Sequence, residues 1–142
     1  MPTLSSAINA AASGLDVQRA RMEVAVSNMS NADSTRGPNN EPYRRREVVL
    51  EATSPDGFGA TLDRVAATGV KVTAVVEDQE AFRRRYEPSH PDADSEGYLA
   101  VPNVDVPEEM VDMLGAARAY QANLTAIGII RDTVQRALEL AK

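Results

Sequence analysis

The chain has 142 residues with a formal net charge of −6, no cysteine, no tryptophan and a single histidine. That length suits one domain, the charge opposes binding to a phosphate backbone, and the missing thiols remove disulfides, thiolate metal sites and cysteine nucleophiles. Hydrophobic residues at 43% and charged residues at 25% are ordinary for a globular protein, and no apolar run approaches the 18 or so residues needed to span a bilayer, so direct membrane insertion is not expected. The first 20 residues lack a basic start followed by an apolar block, so no ordinary cleavable secretory signal is expected.

From Leu4 to Met29, the positions Leu4, Ile8, Ala11, Leu15, Gln18, Met22, Ala25 and Met29 alternate spacings of four and three, the pattern of a heptad seam with one polar member. The sequence predicts a long helix there, capped by Thr3 or Ser5.

Between the helices the pattern changes. Residues 31–40 collect Asn, Asp, Ser, Thr, Gly and Pro and read as a loop. Tyr43–Leu50, Val70–Val76, Phe82–Tyr86 and Tyr98–Val101 read as short strands separated by turn-forming clusters, a small β module of three or four strands. Five of the six aromatics fall in this stretch, and residues 30–105 carry −5 of the net charge.

A second heptad seam runs through Met110, Met113, Ala117, Tyr120, Leu124, Ile127, Arg131, Val134, Leu138 and Ala141, again with one polar member. Asp105 followed by Glu108 reads as a capping box, with Pro107 tolerated in the first turn. The expected fold class is therefore α+β. Terminal helices in residues 1–30 and 105–142 pair as an antiparallel coiled-coil-like hairpin, and residues 31–104 form a loop plus the small β module. Counting layers from Leu4 against Leu138 brings Gln18 and Arg131 within two layers of each other, which suggests that these two polar members select the register.

Catalytic chemistry finds little support. His90 has no second histidine for a triad or zinc site. The run Asp92-Ala93-Asp94-Ser95-Glu96-Gly97 resembles the first half of a calcium loop, but its twelfth position is Asn103 rather than a bidentate Glu. Glu108, Glu109 and Asp112 sit on the first turns of a helix, where they offset its dipole. The triplets Arg44-Arg45-Arg46 and Arg83-Arg84-Arg85 would alternate faces in strands, and contacts with acidic neighbouring subunits are the preferred reading. No enzyme activity, cofactor, metal or nucleic-acid partner is expected.

With those residues laid out, the chain resembles the flagellar axial proteins of the rod and hook. Ser13-Gly14-Leu15, Gln18, Arg21-Met22, Asn28, Asn31-Ala32 and Ser34-Thr35 look like that family's N-terminal signature, with departures at Ser30 and Asp33. Pro42-Tyr43-Arg44-Arg45, Tyr86 with Pro88, His90-Pro91-Asp92-Ala93, Gly97-Tyr98 and Pro102-Asn103-Val104 are similar to the short proximal-rod type. Glu109-Met110-Val111-Asp112-Met113 and Arg118-Ala119-Tyr120-Gln121-Ala122-Asn123 continue the likeness into the last helix.

The resemblance implies paired terminal helices carrying a β domain, and export unfolded through the flagellar type III apparatus without a cleaved signal. It also implies periplasmic assembly into the basal-body rod, beside other copies, other rod subunits and components at the rod's base. Assembly is then expected through Leu4, Ile8, Leu15, Met22, Met29, Met110, Met113, Tyr120, Leu124, Ile127, Val134 and Leu138. A cytoplasmic coiled-coil adaptor forming a discrete oligomer is the alternative, and a small hydrolase or calcium-responsive domain is a further one that lacks its residues.

Overall fold

The computed structural model describes residues 4–37, 39–53 and 69–140. Helix α1 spans Leu4–Ser30 and helix α2 spans Val106–Leu140. Between them come β1 (Arg46–Thr53), β2 (Gly69–Glu77), β3 (Arg83–Tyr86) and β4 (Tyr98–Val101).

Helix α1 begins at Leu4, so Ser5 lies inside it, while Thr3 falls outside the described residues. Its C-terminal carbonyls are closed by side chains: Asn31 Nδ2 donates to Ser27 O at 2.8 Å, and Ser30 Oγ donates to the same carbonyl at 3.0 Å. Asp105 caps α2, accepting from Glu108 N–H through Oδ1 at 3.4 Å and from Glu109 N–H through its carbonyl at 3.0 Å. Glu108 and Glu109 occupy the first turn, where acids suit the positive end of a helix dipole.

The four strands form two separate antiparallel pairs, not one sheet. In the first, Arg46 pairs with Glu77 and Thr53 with Gly69, with a register shift between Val49 and Leu50. Strand β1 starts three residues later than the sequence pattern suggests, because Tyr43 N–H is committed to Ser34 O and the pairing opens at Arg46. In the second, Arg83 pairs with Val101 and Tyr86 with Tyr98. Gly97, at φ +84°, makes the turn into β4; its left-handed backbone and the nearness of Tyr86 and Pro88 leave no room for a side chain.

Two small cores follow. Leu99, Val101, Pro102 and Val104 are buried around β4, and Val17, Ala25 and Ala116 are buried where α1 meets α2. The β1–β2 ribbon lies along α1, with Arg46 beside Asn28 and Val70 beside Ser13. No residue of that ribbon is fully buried, so it leans on the helix without a core of its own.

Candidate assembly interface

The helix pair is antiparallel, and two close contacts define its register. Asn28 Nδ2 donates to Glu109 Oε2 at 3.0 Å. At Gly14 the helices come so near that a side-chain carbon there would lie 2.7 Å from Asn123 Nδ2.

This register corrects the expected seam on α2. Glu109, Met113, Ala116, Tyr120, Asn123, Ile127, Ile130 and Val134 are buried or half-buried, whereas Met110, Ala117, Leu124, Arg131 and Leu138 are exposed. The cause is close packing on small residues: Gly14, Ala25 and Ala116 sit at the contact line and push the larger side chains to the flank. On α1 likewise, Ile8, Leu15, Met22 and Met29 are half-buried and Leu4 is exposed, while Val17, Ala25 and Asn28 are the buried residues.

The expected nearness of Gln18 and Arg131, two layers apart and setting the register together, is also corrected. With Gly14 level with Asn123, the two residues lie 12 positions apart along the pair, about 18 Å at 1.5 Å per residue. Arg131 is 78% exposed and its nearest acid is the adjacent Asp132 at 3.7 Å. Gln18 Oε1 is buried without a hydrogen-bond partner.

At the base of the hairpin a polar clasp joins both helices to the β ribbon. Asn28, 1% exposed, uses its whole amide: Nδ2 donates to Arg46 O and Glu109 Oε2, and Oδ1 accepts from Arg46 N–H and the Tyr43 hydroxyl, all within 2.9–3.0 Å. Glu109 is equally buried, and its Oε1 accepts from Arg45 Nε at 2.5 Å. Burial opposes the charge on Arg45, but the hydrogen bond and charge of Glu109, then Glu47, outweigh it and raise its pKa. A second tie stands midway along α1, where Ser13 Oγ accepts from Val70 N–H at 3.1 Å and donates to Ala10 O at 2.8 Å.

The arginine triplets are satisfied within the chain. Arg44 stacks 4.5 Å from the Phe82 ring centroid, Arg46 pairs with Glu77, and Arg83 reaches Asn103. Arg84 pairs with Asp94 and stacks on Tyr98, and Arg85 pairs with Asp33 and Glu87. Contacts with acidic neighbours are therefore not needed to explain either triplet.

The remaining motif residues hold loops. Asp92 accepts from Thr35 Oγ1 at 2.9 Å and from Arg36, and its own N–H donates to His90 Nδ1 at 3.1 Å, so the exposed Pro91 sits at the head of a turn pinned to the 34–36 loop. Asp94 accepts from Glu96 N–H and Tyr98 N–H, which closes the calcium-like run on its own backbone. Asn103 bridges Glu80 and Arg83 beside buried Pro102, and Pro42 is half-buried next to Tyr43. Among the described residues there is no group of three His, Cys, Asp or Glu able to hold a metal, and no helix is long and apolar enough to cross a membrane.

Part of what stays uncovered is apolar. Leu4, Ile8 and Val134 line a groove of about 580 Å³ at the far end of the hairpin, with Ser5, Arg131 and Gln135 on its rim. Residues seven apart share a helix flank, so Leu15, Met22 and Met29 continue the Ile8 side, and Leu124 and Leu138 continue the Arg131 side. The β ribbon does not cover this flank; Val24 and Ala25 face it across a different cleft, with Arg46, Val48, Glu109 and Asp112. Sequence reasoning thus found the apolar stripes, setting them both between the helices and against neighbours, and it missed Glu109 and Asn123 as inter-helix contacts.

A long antiparallel helix pair with an open apolar flank is the build of a subunit that completes itself in an assembly. A family profile described as "Flagellar basal body rod FlgEFG protein C-terminal" matches residues 95–140. Over nearly their whole lengths, the chain is 40% identical to the flagellar basal-body rod protein FlgC of Bacillus subtilis (99% of each chain). It is 40% identical to that of Salmonella typhimurium (93% of each) and 37% to that of Borreliella burgdorferi (96% and 97%). The chain belongs to the FlgC family of flagellar basal-body rod proteins.

Proposed function

We propose that this protein is a non-enzymatic structural subunit of the flagellar rod, and that it enters the rod wall through the open flank of its helix pair. Its partners are then other copies of itself, other rod subunits and components at the rod's base, with no nucleic acid, cofactor or membrane insertion. The names of its relatives support the rod as its location. Export unfolded through the flagellar type III apparatus and assembly in the periplasm belong to the same reading.

The observation that carries the proposal is the uncovered apolar flank: Leu4, Met110, Leu124 and Leu138 are exposed at the ends and middle of two long helices. A rod transmits torque, so its subunit needs stiffness and repeated contacts, and contacts that do not close on themselves generate helical assemblies. The twelve residues from Leu4 to Leu138 named above as an assembly surface remain the proposed one, exposed or half-buried in the chain and covered by neighbours in the rod. Residues 31–104 then form the outer part and residues 1–30 and 105–142 the assembly core.

Leu124→Asp tests this. The side chain is 41% exposed, so the charge leaves the chain's own fold intact but enters a shared apolar interface. Secretion should persist, while rod completion and motility are lost. A motile Leu124→Asp strain with normal rods would sink the proposal.

A further inference from the structure

Coiled-coil seams built on heptads are ambiguous, because sliding one helix by seven residues matches similar positions again. That ambiguity is acute here, since much of the α1 contact line is alanine: Ala7, Ala10 and Ala25. Yet two contacts in this hairpin cannot be repeated at another register. They stand 14 residues apart on each helix, from Gly14 to Asn28 on α1 and from Asn123 to Glu109 on α2. That interval is two heptads, so both contacts belong to one alignment.

We propose that Asn28–Glu109 and Gly14–Asn123 act together as a two-point register lock that selects a single alignment of the helix pair. The first point acts through polarity. Glu109 and Asn28 are almost wholly buried, and their hydrogen bonds are completed only by each other, Arg45, Arg46 and Tyr43. A slip of seven residues strips Glu109 from Asn28 and leaves Glu109 Oε2 and one Nδ2 hydrogen of Asn28, both buried, without each other, while the bonds of Asn28 to Arg46 and Tyr43 remain. Sliding one way sets Glu109 level with Arg21, which has no ion-pair partner among the described residues and lines the same cleft. Charge alone would tolerate that register, so a second point is required.

The second point acts through shape. Gly14 is the only glycine in α1, and the Asn123 amide lies against its bare backbone. In the slip that sets Glu109 by Arg21, Asn123 meets Ala7, whose methyl occupies the space the amide needs. The short Asn side chain must then swing out of the contact. The shape contact thus rejects the slip that charge alone would tolerate. Gln18 takes no part, and its unpartnered Oε1 makes it a harmless place for a probe.

The chain contains no cysteine, so engineered pairs report register directly in the purified full-length protein. Gln18→Cys with Tyr120→Cys reports the native alignment. Gln18→Cys with Ile127→Cys or with Met113→Cys reports a slip of one heptad either way. With the lock intact, the native pair should form disulfide about tenfold faster than either slipped pair. Replacing Asn28 and Glu109 by Leu, and both Gly14 and Asn123 by Ala, exchanges the lock for apolar surface, a replacement that is often neutral for stability and that on this proposal removes the register preference. Slipped disulfides should then form within about threefold of the native one, at unchanged helix content.

A separate arm isolates the shape contact. Gly14→Ala alone should slow native cross-linking although alanine favours helix, and adding Asn123→Ala should restore the rate. A native-to-slipped ratio that is unchanged in the four-fold variant, or slow native cross-linking of Gly14→Ala that Asn123→Ala fails to restore, would overturn the lock. So would failure of the native pair to cross-link in the otherwise unaltered chain. None of these readouts depends on rod assembly, so the lock and the proposed function stand or fall separately.

Discussion

The amide of Asn28 and the carboxylate of Glu109, 81 residues apart in sequence, meet at 3.0 Å with both side chains almost fully buried. Each is the other's partner at the point where both helices and the β ribbon converge. Truncating Asn28 leaves Glu109 Oε2, the Tyr43 hydroxyl and the Arg46 backbone without it. Asn28→Ala should therefore cost about 3 kcal/mol, read as a lower urea midpoint with the slope unchanged. Asn28→Asp should be at least as damaging, because a second carboxylate would face Glu109 with no donor between them. An Asn28→Asp protein as stable as the parent would refute this account of the clasp.

Ser13 ties the ribbon to α1 through a single hydroxyl that accepts from Val70 N–H and donates to Ala10 O. Ser13→Ala removes the acceptor at the first residues of β2 and should cost about 1 kcal/mol. Amide exchange at Val70 should accelerate, with exchange around Asn28 unaffected. Equal acceleration at both places would show that the ribbon is held as one unit and not by two ties.

The two long helices were legible because heptad spacing is a strong signal over so many turns, and the four strands because β-branched and aromatic runs alternate with turn clusters. The seam itself was not. Large apolar residues mark the stripe that most needs covering, and the sequence reading shared that covering between the other helix and neighbouring subunits. In the fold the helices meet instead on Gly14, Ala25 and Ala116, residues whose value lies in how little space they take, which hydropathy does not register. Glu109 was read as a dipole partner because its position in the first turn explains an acid fully; only the fold brings Arg45 and Asn28 to it. The arginine triplets misled for the related reason that their acids, such as Asp33 for Arg85 and Asp94 for Arg84, lie in other segments. One part of the contact was legible: Gly14 lies inside a long helix, where a glycine often marks close approach.

Asp94 governs how the β3–β4 turn responds to acid. The Tyr98 N–H holds its pKa below the usual carboxylate range; slight desolvation opposes this, and Glu96 N–H and Arg84 add to it. A depressed folded-state pKa means that the stabilisation is complete above the unfolded value, near 4, and is lost as pH falls through the lower folded value. The parent should therefore lose stability below pH ~4 more steeply than Asp94→Asn. The difference between the two in thermal midpoint should shrink as pH drops from 5 toward 3. A difference that is constant across that range would show that the charge on Asp94 does not contribute.

Stability should also be graded along the helix pair. The buried helical residues are Val17, Ala25 and Asn28 on α1 and Glu109 and Ala116 on α2, all in the half nearest the clasp. Before Val17 and beyond Ala116, every described helical residue is exposed or half-buried. Local opening is easiest where buried apolar contacts are few, since little is lost when the backbone hydrogen bonds separate. In the isolated protein, amides in residues 5–12 and 128–140 should thus exchange about 100-fold faster than those in 24–28 and 109–116. The same distal stretches carry the apolar groove of Leu4, Ile8 and Val134, so covering that groove in an assembly should slow their exchange most. Uniform protection along both helices of the free chain would mean that the distal half holds itself together, and that neighbours are not needed to order it.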